Sequence, residues 1–181
     1  MIIAQINAKL QPIHRGDIFE DPLDAALKKA GRGEVTGGGT LLDNSGEIAH
    51  CDIEISVPEI NDDNLRFVAA TLEGLGAPKG SRLTVAKSDK VLQIGKAEGL
   101  AVYLNGTDLP DEVYAKSDIN FVISEFTRLL GAKGRILSNW QGPRETALYI
   151  YGGSFAGMRD ALKDFIASYP LCQKCRIVQI A

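Results

Sequence analysis

The stretch Gly33–Ile55, GEVTGGGTLLDNSGEIAHCDIEI, holds two extended segments, about Glu34 to Leu42 and Glu47 to Val57, separated by Asp43-Asn44-Ser45-Gly46. Each of those four residues suits the tight backbone of a turn, so the stretch reads as a β-hairpin. Its three consecutive glycines, Gly37, Gly38 and Gly39, raise the question of a phosphate cradle. A phosphate loop leads from a strand into a helix, whose amino terminus supplies aligned N–H groups and a positive dipole. These glycines lead into another strand, and no Lys-Ser/Thr follows them. The expectation is a bulge, or a bare patch of sheet on which side chains from elsewhere lie directly against backbone.

Before this hairpin, Ile2, Ala4 and Ile6 alternate with Ile3, Gln5 and Asn7 at the period of a strand. Asp21-Pro22 reads as a helix cap and first turn, and Leu23, Ala26, Leu27 and Ala30 recur at helical spacing up to Gly31. After the hairpin, Asn61 caps a helix with Leu65, Val68, Ala69, Leu72 and Leu75 on one stripe, and a strand spans about Ser81 to Ala86. The order is strand, helix, strand, strand, helix, strand.

The second half repeats it. A strand over Gly99–Asn105 precedes a helix capped at Ser117; strands over Gly134–Trp140 and Glu145–Tyr151 follow, then a helix from Phe155 and a strand over Arg176–Ile180. Residues 1–86 and 98–181 thus form two repeats, with 87–97, including a short extended Val91–Ile94, as connector. The fold class expected is α+β: two tandem ferredoxin-like (βαββαβ) repeats with antiparallel sheets packed into one body. In each repeat both helices cover one sheet face and leave the other open.

The 181 residues are 45% hydrophobic and 24% charged, with formal charge −3 from 20 basic and 23 acidic side chains. No Lys/Arg cluster exceeds two residues, so no concentrated basic face for nucleic acid is expected. No apolar run nears the ~18 to 20 residues of a membrane span, and MIIAQINAKL lacks the form of a secretory signal. A cytoplasmic protein is expected, bound to neither membrane nor nucleic acid. Three cysteines, Cys51, Cys172 and Cys175, suit a reducing compartment. Cys172-Gln173-Lys174-Cys175 follows Pro170 and enters a strand, away from the helix start that activates redox pairs. With only His14, His50 and Cys51 in addition, zinc is not expected either; no metal or other cofactor is implied.

Alternation in the strand after the turn sends Ala49, Cys51, Ile53, Ile55 and Val57 toward the helices and His50, Asp52 and Glu54 to the open face. The matching strand of the second half sends Leu148 and Ile150 inward and Ala147, Tyr149 and Tyr151 outward, with Trp140 on the paired strand. LNGTDLPDEVY, Leu104–Tyr114, reads as an acidic loop bearing Asp108, Asp111 and Glu112. No GxSxG, HExxH or comparable signature occurs, and no catalytic residue is assigned.

Two stretches, GLAVYLNGTDLPDEVY and GPRETALYIYGG with YPLCQKCRIVQIA, resemble a family of small, uncharacterised bacterial cytosolic proteins, which in turn resemble the immunity proteins of polymorphic toxin systems. The likeness spans most of the chain and carries no catalytic motif, so it implies a binding protein without turnover. The expected partner is a protein, in the sharpest form a basic toxin domain. Asp52, Glu54, Asp108, Asp111 and Glu112 would steer it, Trp140, Tyr149 and Tyr151 would anchor it, and Glu145 is counted in the same partner-binding surface. The rival expectation is an enzyme or small-ligand binder with a pocket between the two sheets, lined by His50, Trp140, Glu145, Tyr149 and Tyr151. The oligomeric state is monomer or homodimer.

Overall fold

A computed structural model describes all residues, 1–181. The chain divides into two compact units, Met1–Ala97 with Ala181, and Glu98–Ile180. The first holds strands β1 (Ile2–Ile6), β2 (Glu34–Leu42), β3 (Ile48–Ser56), β4 (Ser81–Val85) and β5 (Val91–Ile94), in the order β2-β3-β1-β4-β5. The second holds β6 (Glu98–Asn105), β7 (Gly134–Gln141), β8 (Glu145–Gly152) and β9 (Arg176–Gln179), in the order β7-β8-β6-β9. Every pairing between these strands is antiparallel. Numbered within its own unit, each sheet has the order 2-3-1-4, with β5 added to the first, and that is the ferredoxin-like arrangement. Val91–Ile94, read from sequence as part of a connector, pairs with β4 from Ser81↔Ile94 to Thr84↔Val91.

Register makes the internal repeat concrete. In the first unit Ile6, Thr40 and Cys51 stand side by side across three strands; in the second the same places belong to Leu104, Gln141 and Thr146. Both units interrupt their outer pair at an equivalent place, between Val35 and Gly37 and between Ile136 and Ser138, and the first unit has a second interruption between Leu41 and Leu42. Counted from these bulges, Gly37, Gly38 and Gly39 match Ser138, Asn139 and Trp140. Arg82 on β4 matches Arg176 on β9, each opposite the central strand at Gln5 and Tyr103.

The helices are α1 (Pro12–Arg15), a π-helical turn (Gly16–Glu20) and α2 (Asp21–Ala30), then α3 (Asp62–Gly74), α4 (Asp111–Lys116), α5 (Ile119–Leu130) and α6 (Phe155–Ser168). Asp21 is not a cap. The first helical run begins at Pro12 after an extended Gln11 and continues unbroken through Asp21 to Gly31, which ends it in the left-handed conformation. Sequence periodicity hides its first turns because the π turn adds a residue and resets the phase. The buried positions become Arg15, Phe19, Leu23 and Leu27, four apart throughout. Asn61 caps α3 as expected, accepting from the Asn64 N–H at 2.9 Å. For α5 the cap is Asp118, accepting from the Asn120 N–H at 2.8 Å, rather than Ser117. The acidic loop of the sequence reading contains α4, with Asp111 and Glu112 in its first turn, where carboxylates complement the helix dipole.

In the first unit Ile2, Ala4, Ile6, Ile53 and Ile55 meet Phe19, Leu23, Leu27, Val68 and Leu72, all fully buried. In the second, Leu100, Val102, Leu148 and Ile150 meet Val122, Phe126, Met158 and Leu162. Each such aliphatic side chain contributes roughly 1.5–3 kcal/mol through burial.

Candidate functional site

The glycine run has two faces. Gly38 points to the helix side, where an added Cβ would stand 2.0 Å from Glu20 Oε1, 3.0 Å from the Asp52 carbonyl oxygen and 3.1 Å from Arg15 Nε. Arg15 is buried; its Nε donates to Glu20 Oε1 at 2.7 Å and its Nη1 donates to Thr40 Oγ1 at 2.6 Å. An ion pair from the first helical run thus lies directly on bare backbone, and Gly38 makes room for it. Beside it the Cys51 thiol is within reach of the Leu10 and Ala8 carbonyls, at 3.3 and 3.5 Å. Burial pushes its pKa up, so it is a packed thiol rather than a nucleophile.

Gly37 and Gly39 face the other way, opposite Glu54 and Asp52. A Cβ on Gly39 would meet nothing within 4 Å. Here the side chains of β3 form a short polar row. His50 Nε2 lies 2.7 Å from Gln5 Nε2 and 3.9 Å from Asp52 Oδ2. Asp52 and Glu54 have no Lys or Arg partner within the chain. Their strand neighbour β2 is the edge of the sheet, and its last two residues, Leu41 and Leu42, are 53% and 56% exposed.

The other seven residues expected at a binding surface lie in the second unit, where most of the carboxylates are already engaged. Asp108 accepts from Asn105 Nδ2 at 3.2 Å and Arg144 Nη2 at 3.3 Å, while Lys174 Nζ donates to its carbonyl at 2.7 Å. Hydrogen bonds from Asn105 and Thr107, with Arg144 near by, hold its carboxyl below the usual aspartate range. Glu112 is 3.6 Å from Lys116. Glu145 takes both nitrogens of a fork from Arg176, at 2.8 and 2.7 Å, and the same guanidinium sits 4.2 Å over the Tyr103 ring. Asp111 makes no such pair. Trp140 lays its indole against Gly142 of the β7–β8 loop, where an added Cβ would stand 2.0 Å from the ring. Tyr149 and Tyr151 alternate away from the helices as expected, yet they are 0% and 5% exposed.

The CxxC lies in the turn between a short 3-10 segment (Pro170–Cys172) and β9, with Lys174 in the left-handed conformation. Burial pushes the Cys172 thiol up to about 12, and Cys175 moves in the same direction for the same cause. No three His, Cys, Asp or Glu side chains converge in a way that would hold a metal, and no helix is long and apolar enough to cross a membrane.

The second unit also contains a cavity of about 360 Å³ on the helix side of its sheet. Leu104, Leu148, Ile119 and Ile123 give it apolar walls, and Gln141 and Thr146 face it from neighbouring strands.

Strand order, register and these surfaces define a two-unit α+β protein of ferredoxin-like topology. No family model matches the chain, and no curated relative matches it. Among solved structures, the first two RRM domains of yeast poly(U) binding protein align with 100% of this chain and 99% of that one, at 12% identity and a TM-score of 0.28. The ferredoxin-like fold follows from the strand order of the two sheets.

Proposed function

We propose that this chain acts by binding a protein partner without turnover, in the manner of an immunity protein that occludes a basic toxin domain. Its first unit would carry the recognition surface. The observation behind this reading is the pair Asp52 and Glu54, uncompensated by any Lys or Arg, beside the bare backbone of Gly37 and Gly39 on an edge strand. An edge strand offers unpaired backbone groups to an extended segment of a partner. Glycines without side chains let that segment, or a Lys or Arg side chain on it, approach the strand closely. Two carboxylates without a Lys or Arg partner, Asp52 touched only by Gln5 and His50, draw such a partner in, and exposed Leu41 and Leu42 supply apolar area at the strand's end.

The carboxylates of the second unit contribute less to this reading, because Arg144, Lys116 and Arg176 already neutralise Asp108, Glu112 and Glu145. Tyr149 and Tyr151 are buried and the matching places on β3 hold Glu54 and Ser56, so these positions offer no exposed aromatic ring on which a base could stack. With a formal charge of −3, a protein partner remains the better reading.

The test is capture from the native organism with the wild-type chain and with the double variant Asp52→Asn/Glu54→Gln, followed by association kinetics of the captured protein. The wild-type association rate should fall about tenfold or more from low to high ionic strength. The double variant should start slow and respond little to salt, while Asp108→Asn should behave as wild type. A salt-independent wild-type rate would overturn the steering, and a captured nucleic acid would overturn the class of partner.

A further inference from the structure

We propose that the cavity of the second unit is a binding site for a small, uncharged molecule that presents a planar N–H-bearing group, a carboxamide or a urea, on an apolar body. This site is separate from the surface proposed above and stands or falls independently of it.

The argument comes from comparing the two repeats at one register position. In the first unit the outer strands place Thr40 opposite Cys51, and both are engaged: Thr40 accepts from the Arg15 guanidinium and Cys51 reaches the Leu10 carbonyl. In the second unit the same positions are Gln141 opposite Thr146. Neither of these two side chains has a hydrogen-bond partner within the chain, and both face the cavity. Gly38, the floor beneath the Arg15–Glu20 pair, is matched by Asn139 in the cavity wall. The first repeat thus fills with its own planar guanidinium the place that the second leaves open.

The chemistry of the walls then selects the occupant. No Lys, Arg, Asp or Glu lines the cavity, and Asn139 and Gln141 stand exposed at its mouth, so a charged group seated against the apolar walls would give up part of its hydration without a counter-charge. The Gln141 carboxamide offers an acceptor and donors in one plane, and the Thr146 hydroxyl one of each. A second carboxamide or a urea pairs with that set as the guanidinium of Arg15 does with Glu20 and Thr40, without the charge. Tyr114 and Asn105, also in the wall, are already committed. The Tyr114 hydroxyl accepts from the Leu109 N–H at 3.0 Å, and Asn105 Oδ1 accepts from the Asp108 N–H at 2.7 Å. Leu104, Leu148, Ile119 and Ile123 take the apolar body, and the volume of about 360 Å³ lies in the range of small-ligand sites.

Three probes of one shape and three charges test this on the full chain: benzamide, the benzamidinium cation and benzoate. Each is titrated while the Gln141 side-chain amide and the Ile119 and Ile123 methyl resonances are followed by NMR. Benzamide should give saturable shifts at all three residues with a dissociation constant of roughly millimolar order, as befits a fragment, and both ions should bind about tenfold or more weakly. Gln141→Leu should weaken benzamide about tenfold, and Thr146→Val by less. Absence of saturable shifts with benzamide, or equal binding of either ion, would overturn the proposal. The charge series needs only the wild-type chain, so it decides the matter even where a variant fails to fold.

Discussion

Glu20 lies on Gly38: a Cβ built on that glycine would stand 2.0 Å from the Glu20 carboxylate, which is itself held by the Arg15 guanidinium at 2.7 Å. The middle glycine of the run is therefore a seat for an ion pair, and its two neighbours, facing the other side of the sheet, are not.

That difference predicts opposite outcomes at adjacent positions. Gly38→Ala must displace Glu20 from Arg15 and press on the Asp52 carbonyl 3.0 Å away, and should cost about 1–3 kcal/mol. Gly39→Ala meets nothing within 4 Å and should stay within about 0.5 kcal/mol of wild type. Urea unfolding of both variants checks the pair, and equal effects at the two sites would contradict the arrangement.

The ion pair itself predicts strong coupling. Arg15 and Glu20 side chains are only 11% and 19% exposed, so removing either partner strands a poorly hydrated charge. Glu20→Gln and Arg15→Met should each destabilise by roughly 1–3 kcal/mol. The double variant should cost clearly less than the sum, because no lone charge is left behind. A double-mutant cycle with additive costs would show that the pair is inert.

The hairpin turn carries a pH signature. Asp43 Oδ1 accepts from the Ser45 N–H at 2.8 Å, the Ser45 hydroxyl at 2.6 Å and the Glu47 N–H at 3.1 Å. The Ser45 hydroxyl, then the backbone N–H groups, hold its carboxyl below the ordinary aspartate value. A folded value below the unfolded one stabilises in full above the unfolded value, about pH 4, and the gain is lost as pH falls through the folded value. Asp43→Asn should therefore be less stable than wild type near neutrality, and the two unfolding curves should converge in acid. A constant difference across that range would contradict the assignment.

The cysteines should be slow to react. With Cys172 pushed up to about 12, about one molecule in ten thousand carries its thiolate at pH 8. Cys51 and Cys175 are raised in the same direction. An aromatic disulfide reagent should label the native chain far more slowly than the unfolded one, with half-buried Cys175 the first to react. Fast labelling of Cys172 in the folded protein would mean the turn opens.

Much of this molecule was legible before its structure was known. The alternation of Cys51, Ile53 and Ile55 with His50, Asp52 and Glu54 placed those side chains on the correct faces, because a strand's period of two leaves no other choice once one face is buried. The glycines were readable as strand rather than phosphate loop for a reason equally local, the hairpin turn that follows them. The first turns of the first helix were not legible, since a π turn changes the spacing by one residue and periodicity cannot bridge it. Asp108 and Glu145 read as free acids for a different reason. Arg144 and Arg176 neutralise them, and Arg176 lies 31 residues from Glu145, a pairing that no local pattern announces.

The sequence by itself determined the element order and the facing of each strand, since these follow from short-range sterics and the burial of apolar side chains. Only tertiary structure decided what stands against each face: the Arg15–Glu20 pair on Gly38, the arginines on the second unit's acids, and open space beside Gln141 and Thr146. Contacts of that kind join residues far apart in the chain, and their existence depends on sub-ångström fit between elements that local propensity places only approximately.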